Sequence, residues 1–339
     1  MLDCPSKSFL GGIMKLPRRG FLHLTAGAAA LPAVSRIARA QAWPTRVVRL
    51  LVGFPPGGGM DSTGRIVANR LSEIWGQQVV VENKPGAGGT IAIDAAAHAA
   101  PDGYTILVTA GGPATYGFLF PLGFDPVADL APLSVVGRFP NLMVVPNSSP
   151  WKSLKEFIGY AKANPGKINW ASPGVGTSPH LAGELFKRMA GIEITHVPYR
   201  GVAAGAMSDL LAGRLDAMFN TTGSLLQAVR ANQVRGLGVT SGERFATAPE
   251  IPTFAESGVL DYDVESFYAL WGPARTPREI VKRMNADIVA MLGESAVKAR
   301  FEVLGVLASG STPEELAAKA RADTELWGPI IKAANIKGE

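Results

Sequence analysis

The sequence predicts an α/β protein of two hinged lobes, each a mostly parallel sheet flanked by helices and joined by two chain crossings. Three observations carry this. Apolar runs of strand length alternate with Gly/Pro turns and amphipathic helical stretches, the signature of a parallel α/β layer. Apolar runs at 142–145 and 264–270 sit where the chain would leave one series and return to it. About 300 residues follow the N-terminal leader, enough to bury two cores.

In chain order, 47–52 is an apolar run that reads as a buried parallel strand. Phe54-Pro55-Pro56-Gly57-Gly58-Gly59 cannot continue it or start a helix early. Asp61 is positioned to cap a helix to about residue 75, with Ile66, Val67, Leu71 and Ile74 at helical spacing. A strand at 78–81, a glycine-rich turn at 83–89, a helix at 91–99 and a strand at 104–109 complete a βαβαβ unit. The second series has helices at 155–163, 178–189, 202–212 and 223–231, alternating with strands at 168–171, 194–197, 216–219 and 234–240. Helices at 277–292, 295–304 and 313–334 close the chain. The expected division is 43–141 with 267–339 as the first lobe and 142–266 as the second.

The leader, 1–42, reads as a twin-arginine export signal. Arg18 and Arg19 precede Phe21 and Leu22, an apolar run extends to Val34, and small-x-small sites predict cleavage near Ala40 or Ala42. The run is shorter than the ~20 residues a membrane span needs. An ordinary export signal with a chance Arg pair is the alternative, and Met14 is an alternative start. Of 33 basic and 28 acidic residues, six basic ones and Asp3 lie in 1–42, leaving 27 of each. A neutral chain without Lys/Arg blocks is a poor partner for nucleic acid or an anionic membrane. The single cysteine, Cys4, falls in the leader, so the remainder has no disulfide, thiol nucleophile or lipidation site. A monomer in the periplasm is expected.

Two turns match, one per lobe. After the strand at 47–52 comes Phe54 to Gly59; after the strand at 168–171 come Ser172-Pro173-Gly174-Val175-Gly176-Thr177-Ser178. Each joins the carboxyl end of a parallel strand to a helix, where open α/β sheets bind ligands. A helix N-terminus presents unpaired N–H groups and a partial positive charge, an anion site without a basic side chain. Two such ends facing each other would clamp one carboxylate. Taken singly, either turn is a common α/β connection. Neither is a nucleotide motif: there is no Gly-x4-Gly-Lys-Ser/Thr, and Ser62 stands where a dinucleotide fingerprint needs glycine. Asn220 and Thr221, at another strand end, offer donors and acceptors to the far end of a ligand, or simply cap a helix. Phe54, Tyr199, Phe267, Tyr268 and Trp271 are wall or core aromatics. His98, His180 and His196 lack metal-ligand spacing, so neither metal nor cofactor is expected.

At these residues the chain resembles the Bug (TctC-like) family, the extracytoplasmic receptors of tripartite tricarboxylate transporters. The resemblance covers almost all of 43–339. It rests on the Phe54 turn with Asp61 and Arg65, Val81-Glu-Asn-Lys-Pro-Gly-Ala-Gly-Gly and Pro101-Asp-Gly-Tyr-Thr. His180-Leu-Ala-Gly-Glu-Leu-Phe, Val197-Pro-Tyr-Arg-Gly and the 239–253 stretch add to it. It implies a type II periplasmic-binding fold with Venus-flytrap closure, and a ligand carboxylate held by the two turns with little or no basic side chain. It also implies binding roles for Phe54, Gly58, Gly59, Asp61, Gly174, Gly176, Thr177, Ser178 and His180, and for Ala110 and Tyr199. Many relatives are acidic where this chain has Asn220, which disfavours a ligand carrying an ammonium group. Di- and tricarboxylates, hydroxy acids and aromatic acids remain open.

Three functions compete. The first is a receptor delivering a small organic carboxylate to membrane transporter subunits. The second is the same fold reporting to a sensor protein. The third is an exported hydrolase using Ser178, His180 and an acid. The chain has no Gly-x-Ser-x-Gly elbow, which disfavours the hydrolase.

Overall fold

The computed structural model describes residues 43–199 and 204–338. The leader with its Arg pair, cleavage sites and Cys4, and the Arg200-Gly201 end of one family motif, lie outside the described residues. The first series is β1 (Val48–Val52), α1 (Gly59–Trp75), β2 (Val79–Asn83), α2 (Thr90–Ala97) and β3 (Thr105–Ala110). β2 and β3 lie parallel on either side of β1. A 3-10 segment, Pro113–Phe118, follows β3 and leads to β4 (Leu130–Pro146). The second series runs α3 (Leu154–Ala163), β5 (Asn169–Ser172), α4 (Ser178–Ala190), β6 (Thr195–Pro198), α5 (Ala204–Leu211), β7 (Ala217–Thr221), α6 (Thr222–Arg230) and β8 (Val234–Val239). Here β5 lies parallel between β6 and β7. The chain returns through β9 (Glu265–Pro273) and ends in α7 (Arg278–Gly293), α8 (Ser295–Val303), β10 (Leu307–Ala308) and α9 (Pro313–Ala333).

The two series are parallel within themselves, but both crossing strands run antiparallel to their neighbours. β9 pairs antiparallel with β3 and with β4, giving one continuous order β2-β1-β3-β9-β4-β7-β5-β6. β4 changes partners midway: 130–140 pair with β9, and 141–146 pair with β7 and β8. The sequence predicts only the 142–145 portion of this 17-residue strand. The missed part contains Pro132, Ser134, Gly137 and Pro140, which read as turn residues. The strand accommodates them with register shifts at Pro132/Ser134 and Val135/Gly137.

Each half of the sheet is covered on both faces. α1, α7 and α8 pack Val67, Leu71, Met284, Ile288 and Phe301 onto one face of the first half. α2 and the start of α9 cover the other, with Ile93, Ala96 and Leu316. In the second half, α3 and α4 bury Phe157 and Phe186 against Trp170 and Phe219, while α5 and α6 bury Leu210 and Leu225. α9 opens with a capping box between Thr312 and Glu315. It begins in the first core at Leu316 and ends in the second, where Trp327, Ile330 and Ile331 pack.

Candidate functional site

The carboxyl ends of β1, β3, β5 and β7 converge on one cavity of about 680 Å³. Three helices present their N-termini to it: α1 at Gly58 and Gly59, α4 at Thr177 and Ser178, and α6 at Thr221 and Gly223. None of the three has a side-chain cap, so the first amides of each helix lack the partner that a capping oxygen would supply.

Some of those amides are already committed. Gly57 N–H donates to Asp61 Oδ2 at 2.9 Å, and Ser62 N–H to the Gly58 carbonyl. On α4, Gly176 N–H donates to His180 Nδ1 at 3.0 Å, and Leu181 N–H to the Thr177 carbonyl. The amides of Gly59, Met60 and Ser178 occupy first-turn positions with no carbonyl four residues back in the helix. A methyl group at Gly59 would lie 2.8 Å from the Tyr268 hydroxyl, which closes that side of the cavity.

Of the residues predicted for the site, Phe54, Gly58, Gly59, Ala110, Gly176, Thr177, Ser178, Asn220 and Thr221 line the cavity. Four do not, and each has another partner. Asp61 is the third residue of α1 rather than its cap, and is 2% exposed. Its carboxylate accepts from Gly57 N–H, Arg65 Nε and Asn83 Nδ2, all at 2.9 Å. Burial raises its pKa, but the hydrogen bonds from Arg65, Gly57 and Asn83 outweigh it and hold the group below the usual carboxylate range. Asn83 also donates to the Phe54 carbonyl, so one network fastens the first turn to β2. His180 lies under the second turn, stacked on His196 with ring centroids 4.1 Å apart, beside Trp170. The Gly174 carbonyl accepts from Thr177, closing the turn on itself. The Tyr199 hydroxyl donates to Asp209.

Replacing Asp61 by Ala orphans three donors and is expected to destabilise by about 1–3 kcal/mol. Ligand affinity should fall further than stability does, because the freed donors are those that shape the turn. The stabilisation exists above the unfolded carboxylate value and fades as pH falls through the lower folded value, so it is present in full at pH 7. Urea unfolding and calorimetric titration of Asp61→Ala would check both; unchanged values would mean that β2 and Arg65 hold the turn unaided.

The structure adds residues that sequence reasoning missed. Tyr116 and Phe120, in and after the 3-10 segment, line the cavity, as do Lys319, Asp323 and Trp327 of α9. Lys319 is the one basic side chain on the lining among the described residues. Asp323 accepts from Gly112 N–H at 3.0 Å and from Trp327 Nε1 at 3.1 Å. Ser178 Oγ is hydrogen-bonded to Ser266 Oγ and accepts from Asn141 Nδ2 at 2.9 Å, which ties the α4 terminus to both crossing strands. No group of three or more metal-ligating side chains occurs among the described residues, and no described helix is long and apolar enough to cross a membrane.

Residues 63–336 match the profile of a family described as "tripartite tricarboxylate transporter family receptor". The UPF0065 protein in the tcbD-tcbE intergenic region of Pseudomonas sp. strain P51 is 39% identical over 299 residues, covering 88% of this chain and 89% of that protein. Rpa4515 of R. palustris, solved with adipate, is 34% identical with a TM-score of 0.80, covering 87% of this chain and 99% of that one. The periplasmic binding protein BugD is 33% identical with a TM-score of 0.78, over 87% and 99% of the two chains.

Proposed function

Since this chain belongs to the tripartite tricarboxylate transporter receptor family, we propose that it is a periplasmic solute receptor that captures a small organic carboxylate and delivers it to transporter subunits in the membrane. The observation that carries this reading is the cavity itself. Three uncapped helix N-termini face it, and one lysine is its only basic side chain among the described residues. Backbone amides at helix ends bind an anion by geometry and dipole together. Adipate in Rpa4515, at 34% identity, belongs to the same ligand class.

A binding role is favoured over catalysis by the state of Ser178 and His180. The Ser178 hydroxyl is engaged by Ser266 and Asn141, and His180 Nδ1 by Gly176 N–H. A nucleophile needs its base within hydrogen-bond reach. The two lobes, 43–141 with 267–339 and 142–266, would close on the ligand about the β4 and β9 crossings, acting as a monomer. The change of β4 partners at Pro140/Asn141 supports a hinge there. Removal of 1–42 as a twin-arginine leader accords with a periplasmic destination. Sensing by a partner protein remains compatible with the same cavity.

A thermal-shift screen of residues 43–339 against organic acids tests the reading. A ligand at 100 times its Kd adds about 2.7 kcal/mol of stability and raises Tm. Gly176→Val should abolish the shift, because φ at Gly176 is +78° and a side chain there would overlap Leu119. Stabilisation by neutral or cationic solutes but by no organic acid would end the proposal.

A further inference from the structure

We propose that Lys319 on α9 is a second anchor in the cavity, reading a second anionic group at the far end of the ligand, so that the receptor selects diacids over monoacids. The inference rests on the carboxylate-receptor reading above. The three helix N-termini belong to α1, α4 and α6, on strand-to-helix turns. Lys319 comes from a separate element and lines the same cavity.

Its ammonium is held in place without a close ion pair. It lies 4.8 Å from the centre of the Phe267 ring, a cation–π distance. Among the described residues no carboxylate stands within 4.0 Å of it. Asp323, one helical turn later, is occupied by Gly112 N–H and Trp327 Nε1. Those bonds lock α9 to the loop after β3, where a methyl on Gly112 would lie 3.0 Å from Ala320. The lysine therefore stands on a fixed platform. Asp323 feels the lysine's charge but forms no ion pair with it within 4.0 Å, so an arriving carboxylate can make the closer, charge-assisted contact.

The walls fit an apolar spacer between the two charged ends. Phe54, Phe120, Phe139 and Leu119 supply apolar wall between the polar groups of the lining, among them Thr115, Asn220 and Ser266. Its 680 Å³ equals the liquid share of about 20 waters, more room than a single acetate-sized group needs.

Calorimetric titration of residues 43–339 with α,ω-diacids of four to eight carbons, each against the monoacid of equal length, tests the assignment. Wild type should bind its best diacid at least tenfold more tightly than the matched monoacid. Lys319→Gln should bring that ratio close to one while monoacid affinity stays within about twofold. Lys319→Arg should keep most of the preference, which a purely structural role for the side chain would not predict. A diacid preference that survives in Lys319→Gln, or monoacids bound as well as diacids by wild type, overturns the role of Lys319 and leaves the carboxylate receptor standing. Binding of no acid of either kind overturns both.

Discussion

Lowering the pH from 7 to 5 is expected to remove roughly 4 kcal/mol of folding stability, because two buried histidines resist protons that the unfolded chain accepts. His180 titrates at about 3 rather than 6.5, through burial first and then the charges of His196 and Lys187. His196 titrates at about 4, through burial and then Lys187. Both folded values lie below the unfolded one. Stability is therefore complete above pH 6.5 and declines steadily as pH falls toward 4, at about 1.4 kcal/mol per unit for each ring. The surroundings make neutrality structural. His180 Nδ1 accepts from Gly176 N–H, and His196 Nε2 is paired with Ser172 Oγ at 2.7 Å. Trp170 stacks on His180 and lies tilted against His196, and Glu184, the acidic neighbour of His180, stays 4.0 Å from Nε2. Protonating His180 at Nδ1 would turn the acceptor of Gly176 N–H into a donor and release the second turn, so ligand affinity should fall with stability. Denaturant unfolding at pH 7, 6 and 5 reads the slope, and His196→Gln should reduce it by about half. A stability that stays level across that interval would show that protons enter the pair without penalty.

Gly223→Ala is the second large effect, expected to cost about 1–3 kcal/mol of stability and at least tenfold in ligand affinity. Gly223 is the second residue of α6, and a methyl there would overlap the Leu304 carbonyl oxygen. From the other side, a methyl on Gly305, at φ +62°, would stand 2.9 Å from Gly223 N. Two backbones therefore meet with no side chain between them. One belongs to the helix after β7, the other to the turn between α8 and β10, which pairs with β4 at Arg138 and Gly137. Neither carbonyl nor amide can rotate aside as a flexible side chain would, so the contact must open. Opening it separates surfaces that line the cavity at Gly223 and Leu304. Because a ligand touching both sides binds only when they are together, the population competent to bind falls. Gly159→Ala, in a helix and with nothing within 4 Å of the added methyl, is the matched control. Wild-type affinity and Tm in Gly223→Ala would show that this approach carries no weight in closure.

The strand–turn–helix units that build the cavity were legible because their signals are local. An apolar run, a Gly/Pro break and an amphipathic period fix β1, β5 and α4 within a residue, and the end of α1 at Trp75, although α1 is capped at Gly58, three residues before the expected Asp61. Family motifs on the same stretches reinforced them. What was not legible depends on distant neighbours. The first part of β4 hides behind Pro132, Gly137 and Pro140, whose tolerance depends on bulges against β9. Lys319 and Asp323 sit four apart on a helix, a spacing that reads as a solvated surface pair; only the docking of α9 beside Gly111 and Gly112 brings them to the cavity. Asp61 and His180 were expected to touch a ligand, and neither lines the cavity. Sequence alone could not tell a residue that touches the cavity from one that braces its wall, since both need the same polar group at the same place.

The antiparallel seat of β9 between β3 and β4 governs the order in which this molecule can be assembled. Trp271 Nε1 donates to Thr109 Oγ1 across 162 positions of chain. Until those intervening residues have been synthesised, the edge of β3 has no mate, while the middle segment already holds every strand of its own parallel set. Loop-closure entropy is met before so remote a pairing yields any return. The first-made half of the sheet is thus the last to be sealed, and its open hydrogen-bonding edge is what a nascent or unfolded chain leaves exposed longest.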